Sequence, residues 1–203
     1  MTIIGILIYP QVEVLDFCGP FEVFRNINQL RPEVDISLVV ISKTTETVNA
    51  QGLLVIPHHS FNTAPQCDIL VIPGGAGMWL KDQHDYQQFV RTQYRQLKHL
   101  ITVCTGALLV GQLGLLTTNM DATTHQESIQ VLKQLAPRAN VLPEVRFTHA
   151  SNIIMTGGIS AGIDGSLYLV ASIWDNELAE DIAYYMEYDW RIRQPNQPDP
   201  AIL

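Results

Sequence analysis

Leu100–Gly111, LITVCTGALLVG, decides the fold. A run rich in β-branched residues, Ile101-Thr102-Val103, leads into Cys104, and Thr105-Gly106 are followed by apolar residues at helical spacing. The pattern predicts a buried strand, His99–Val103, passing directly into a helix, Thr105–Leu113, with a thiol on the turn. Backbone N–H groups at a helix start have no intrahelical partner and carry the positive end of the dipole. That setting favours a thiolate, which is the nucleophilic form of cysteine. A lone cysteine is equally readable as a small buried hydrophobe, and from the motif alone both readings stay open. The G-x-S-x-G spacing of a serine elbow is absent.

Outward from this stretch, strands and helices alternate. Ile3–Tyr9, Val34–Ser42 and Asp68–Ile72 read as strands, and Asp16–Asn28, Asp82–Leu97 and Glu127–Leu135 as helices. Val48–Pro57 reads as a short extended pair and Asp121–Thr124 as a short strand. Val145–His149 and Asn152–Thr156 read as a hairpin turning near Ala150-Ser151. Gly162–Trp174 and Glu177–Trp190 complete the helices, and residues 190–203 form a Pro-containing irregular tail. The alternation predicts an α/β domain with a mostly parallel, doubly wound sheet. Ligands of such sheets bind outside the carboxyl ends of the strands. Asp16, Gly74-Gly75 and Cys104 each follow a strand, so all three are expected at one crevice.

At 203 residues the chain suits one domain spanning 1–203, with no linker, repeat or low-complexity segment. Its composition, 47% hydrophobic and 16% charged, fits a sheet covered on both faces. A net charge of −8 argues against nucleic acid or an anionic membrane as partner and leaves a small molecule. MTIIGILIYP lacks a basic leader and a cleavage site, and no apolar run is long enough to span a bilayer. Cys18, Cys67 and Cys104 are odd in number with no C-x-x-C spacing, so neither disulfides nor a metal site is expected. The reading is cytoplasmic, with reduced thiols.

Asp16 is readable as a helix N-cap or as a carboxyl exchanging protons with the thiol or a substrate. Pro73-Gly74-Gly75-Ala76-Gly77 is a strand-to-loop turn, or a nest whose Gly74 and Gly75 N–H groups hold an oxyanion. It lacks the dinucleotide and Walker spacings. His125 in TTH is structural or lines a pocket. Gly157 and Gly158 in TGGISAGID serve helix packing or allow close approach to a pocket. His58-His59 would point to opposite faces of a strand and make no metal site.

LDFCGPFEV, ILVIPGGAG, VCTGALLVGQLGLL, ATTH and TGGISAGID, in that order, resemble the ThiJ/PfpI superfamily, related to class I glutamine amidotransferases. The likeness runs from Ile3 to about Trp174. Within the superfamily it is nearest isocyanide hydratases and the sensor domains of AraC-type regulators. The resemblance implies a flavodoxin-like three-layer sandwich, usually a homodimer, needing no cofactor. It maps a nucleophile onto Cys104, an acid/base carboxylate onto Asp16 and a supporting hydroxyl onto Thr105. Protease-like relatives have His after the cysteine, and hydratase-like ones usually have Trp after TTH. Thr105 and Gln126 stand at those places here.

The activity so implied is hydration of an organic isocyanide to an N-substituted formamide. The Cys104 thiolate attacks the terminal carbon while Asp16 aids protonation at nitrogen, and water then releases the formamide from a thioimidate. Two alternatives remain: a glyoxalase- or deglycase-like action on reactive carbonyls, and a non-catalytic ligand- or redox-sensing module. With thirteen residues after Trp190, a helix-turn-helix region of the AraC type is not expected in this sequence.

Overall fold

The computed structural model describes residues 1–76, 83–191 and 194–199. Seven strands form the central sheet: β1 (Thr2–Leu7), β2 (Ile36–Ser42), β5 (His59–Ser60), β6 (Ile69–Ile72), β7 (His99–Val103), β10 (Phe147–Ala150) and β11 (Ile153–Thr156). Their order is β10-β11-β7-β6-β1-β2-β5, parallel throughout except for β10. β3 (Val48–Ala50) and β4 (Leu53–Val55) make the expected antiparallel pair, and β8 (Asp121–Ala122) pairs with β9 (Asn140–Val141). The two-residue strands β5 and β9 carry too little pattern to be read from sequence.

The helices are α1 (Val14–Leu30), α2 (Gln83–Tyr94), α3 (Gly106–Gln112), α4 (Ile129–Leu135), α5 (Ala161–Ile173) and α6 (Asn176–Tyr185). From the adjacent pair β1 and β6 the chain winds outward in opposite directions, through α1 to β2 and through α2 to β7. Right-handed crossovers therefore place α1 and α2 on opposite faces. α5 and α6 pack on α1, and α4 packs on α3. The result is the expected flavodoxin-like α/β sandwich. Asp82, expected at the start of α2, lies outside the described residues, as do Gly77, 192–193 and 200–203. α6 ends at Tyr185 rather than Trp190, because Glu187 turns the chain away at φ +50°.

Strands buried on both faces explain the continuous apolar runs: β6 is buried at every residue, and β7 from Leu100 to Val103. Each Ile, Leu or Val fully buried there contributes roughly 1.5–3 kcal/mol relative to exposure. Pro20 lies inside α1, where it denies the Asp16 carbonyl its helical partner. The helix persists because α5 packs closely against it. A Cβ on Gly19 would sit 3.0 Å from Ile163 Cγ1, and one on Gly162 would sit 3.4 Å from Pro20 Cγ. Beyond β10, the tail lies along the sheet edge. Asn196 N–H donates to the Phe147 carbonyl, Asp199 N–H to the Glu144 carbonyl, and His149 N–H to Asn196 Oδ1.

Candidate functional site

The gap between β1 and β6 is the point where the winding reverses, and three segments meet beside it. Asp16 is not an N-cap. Glu13 occupies that position, and Asp16 lies in the first turn of α1, completely buried. Its Oδ2 accepts the Gly74 N–H at 2.9 Å and its Oδ1 accepts the Ile159 N–H at 3.0 Å. It also lies close enough to the Cys104 thiol for each group to shift the other's titration. Burial raises its pKa to about 7, against the two N–H donors and the thiol, which pull it down.

Cys104 stands at φ +58°, so the junction of β7 and α3 is a true elbow. Its N–H donates to the Gly157 carbonyl at 2.9 Å, and its carbonyl accepts the Thr124 hydroxyl at 2.8 Å. The side chain is buried, and burial with the nearby Asp16 charge pushes the thiol up to about 12. The neighbouring Thr105 N–H and hydroxyl, which favour the charged sulfur, pull the other way. The expected helix-start thiolate therefore meets a correction. In the free site the group is a thiol, because desolvation and a buried carboxylate outweigh two donors at the head of a seven-residue helix.

The Gly74-Gly75 turn has a different task from the oxyanion nest expected. Gly74 N–H is spent on Asp16, and Gly75 N–H on Thr105 Oγ1 at 3.0 Å. The turn thus places the carboxyl and the hydroxyl. A Cβ at Gly74 would stand 2.6 Å from Thr105 N and Oγ1, and Gly75 has φ +129°, so neither position admits a side chain without strain. Gly77, the end of that motif, is among the residues not described.

His125, Gly157 and Gly158 lie on a separate cavity of about 170 Å³ that also takes in Thr124, Gln126 and Arg146. Cys104 and Asp16 do not line it. His125 Nδ1 accepts the Glu127 N–H at 3.3 Å, opening a 3₁₀ turn (Gln126–Ser128), and its ring lies against Gly158. A Cβ at Gly158 would meet His125 Cδ2 at 2.3 Å. His58 Nδ1 accepts the Val40 N–H, and among the described residues no three His, Cys, Asp or Glu side chains group to hold a metal. No helix among them is long and apolar enough to cross a membrane.

Two residues of the site escaped the sequence reading. Ile159 gives Asp16 its N–H from φ +57°, a genuine outlier for a β-branched side chain. Tyr9 is buried beside the pair. Its hydroxyl donates to the Pro73 carbonyl at 2.8 Å, and its pKa lies well above the ordinary value through burial and the Asp16 and Cys104 charges. Ile159 contributes through a backbone group, which residue type does not reveal. The Tyr9-Pro10 pair closing the first strand is the one local signal for the other.

Chemically, the arrangement offers a thiol, a carboxyl titrating near neutrality close to it, and a hydroxyl and N–H beside the sulfur. Residues 3–164 match the DJ-1/PfpI family. The chain is 33% identical over 190 residues to an isonitrile hydratase of Pseudomonas putida, covering 91% of this chain and 78% of that protein. It is 27% identical over 191 residues to the HTH-type transcriptional regulator GbdR of Pseudomonas aeruginosa, covering 94% of this chain but only 51% of the regulator. A ThiJ/PfpI family protein from Pseudomonas syringae superposes with a TM-score of 0.81 at 27% identity, over 98% of this chain and 78% of that one. Drosophila melanogaster DJ-1beta, at 15% identity over 93% of this chain and 99% of that one and a TM-score of 0.78, shares the fold. With the matched segment containing Asp16, the Gly74-Gly75 turn, Cys104 and Ile159, the chain belongs to the DJ-1/PfpI family.

Proposed function

We propose that this protein is a cysteine-dependent hydratase that converts an organic isocyanide to an N-substituted formamide. The observation that carries the reading is the contact of the Asp16 carboxyl with the Cys104 thiol, in a site where the carboxyl titrates at about 7. The 33% identity to an isonitrile hydratase supports it. A general base is most effective when its pKa lies near the working pH.

Asp16 carboxylate takes the thiol proton as sulfur bonds to the terminal isocyanide carbon. The same proton passes to that carbon, giving the thioimidate S–CH=N–R. Balance thus puts the first proton on carbon rather than on the nitrogen expected from sequence. Asp16, again a carboxylate, then takes a proton from water as the water oxygen adds to the carbon, and passes that proton to the nitrogen, giving S–CH(OH)–NH–R. Collapse breaks the C–S bond and forms the carbonyl, and the hydroxyl proton moves through Asp16 to the departing sulfur, releasing R–NH–CHO and restoring the thiol. The Thr105 N–H and hydroxyl stabilise the sulfur when it leaves.

The test supplies an aryl isocyanide and follows formamide absorbance. Wild type is expected to turn over and Cys104→Ala to fall to background. Equal rates would remove Cys104 as nucleophile. A second reading, ligand or redox sensing, draws on the likeness to a transcriptional regulator, of which the chain spans about half the length. No turnover on several isocyanides, together with clean peroxide oxidation of Cys104 seen by mass spectrometry, would favour it.

A further inference from the structure

The peptide joining Pro73 to Gly74 is gripped from opposite edges. Its carbonyl accepts the Tyr9 hydroxyl at 2.8 Å, and its N–H donates to Asp16 Oδ2 at 2.9 Å. The next N–H, of Gly75, holds Thr105 Oγ1. Rotating this peptide would break the Tyr9 and Asp16 bonds together. Tyr9 is itself fixed: it is buried, Tyr86 packs edge-on at 5.9 Å, and Phe61 packs edge-on against Tyr86 at 5.0 Å. A hydrogen bond to a carbonyl polarises its amide, which makes the N–H across it a stronger donor.

We propose that Tyr9 is a positioning residue for Asp16: its hydroxyl orients and polarises the Pro73–Gly74 peptide, and that peptide's N–H holds the carboxyl against Cys104. The proposal deepens the hydratase reading, and its kinetic arm rests on that reading. The Gly74 N–H lowers the Asp16 pKa, so weakening this bond raises it. The other titratable groups acting on Asp16 are Cys104 from the β7–α3 elbow and Glu13 from the start of α1, while the Asp16 charge in turn raises the pKa of Tyr9. Tyr9 stays protonated through the neutral range, so it acts as a donor.

The test is a pH titration of the Asp16 carboxyl carbon by ¹³C NMR on aspartate-labelled protein, the resonance being assigned by its loss in Asp16→Asn. Tyr9→Phe keeps the ring and removes the donor, and its midpoint is expected to rise by about half a unit or more. A 3-fluorotyrosine at position 9, a stronger donor of nearly the same shape, is expected to move the midpoint down. Opposite shifts support the relay. Midpoints unchanged within about 0.2 units, or both moving the same way as a packing disturbance would, overturn it. The titration needs no substrate. If isocyanide turnover is present, the limb of its pH profile set by Asp16 follows the carboxyl midpoint in each variant. A midpoint that shifts in the absence of turnover refutes the hydratase reading and leaves the Tyr9 role standing.

Discussion

The two adjacent strand-to-helix junctions, β7–α3 and β11–α5, solve one geometric problem in two ways. Both place a residue with a Cβ in the left-handed region, Cys104 at φ +58° and Ile159 at φ +57°. Cys104 N–H bonds the Gly157 carbonyl, so the junctions are joined directly. At the first, the unusual backbone serves a side chain, presenting the sulfur to Asp16 and Thr105. At the second it serves a backbone group, the Ile159 N–H that holds Asp16, while the side chain stays partly exposed. Strain at a site can therefore be spent on a reactive atom or on the donor that orients its partner.

Asp16→Asn disturbs both junctions at once, since Asp16 is held by the second and acts on the first. Isocyanide turnover is expected to fall about 100- to 1000-fold. Alkylation of Cys104 by iodoacetamide near pH 8 is expected to accelerate, because the neighbouring negative charge that raises the thiol pKa is gone. Slower alkylation would show that Asp16 assists rather than opposes ionisation in the free site.

The same carboxyl links the junctions to stability. Its folded pKa, about 7, exceeds the ordinary 3.8, so the folded state binds more protons between those values. Its contribution is therefore most favourable below pH 3.8 and is lost as pH rises through about 7. The span is on the order of 4 kcal/mol at most. Denaturant unfolding across this range is expected to show wild type losing stability relative to Asp16→Asn as pH rises. A difference that stays flat would mean the burial cost is not borne by Asp16.

Gly158→Ala tests the second junction from its other side. The new methyl meets the His125 ring, so a loss of about 1–3 kcal/mol is expected, and His125→Ala should restore most of it. The smallest effect is expected from Ile159→Gly. It keeps the N–H and removes a left-handed Cβ cost of about 1–2 kcal/mol, but it gives up some packing and frees the unfolded chain. Stability is expected to change by less than about 1 kcal/mol, and a larger fall would show that packing rather than strain dominates at that junction.

The fold was legible because strands buried on both faces leave continuous apolar runs that alternate with helices, as in His99–Val103 and its helix. Cys104, Asp16 and Thr105 were legible as residue types with suitable chemistry at strand ends. What the turn does was not, since the direction of the Gly74 and Gly75 N–H groups depends on which acceptor arrives from elsewhere in the chain. Ile159 left no sign because every residue but proline carries a backbone N–H. The raised thiol pKa was hidden for a related reason: the dipole argument is local, whereas burial and the Asp16 charge come from tertiary packing.

Asn196 and Asp199 also close an edge of the sheet. An outermost strand with free N–H and carbonyl groups is a template for pairing with another chain. Here the Phe147 carbonyl and His149 N–H are occupied by Asn196, and the Glu144 carbonyl by Asp199. The opposite edge strand, β5, is only two residues long. A sheet rich in Ile, Leu and Val thus gives growing β-aggregates little to add to at either side, which protects a core whose composition would otherwise invite them.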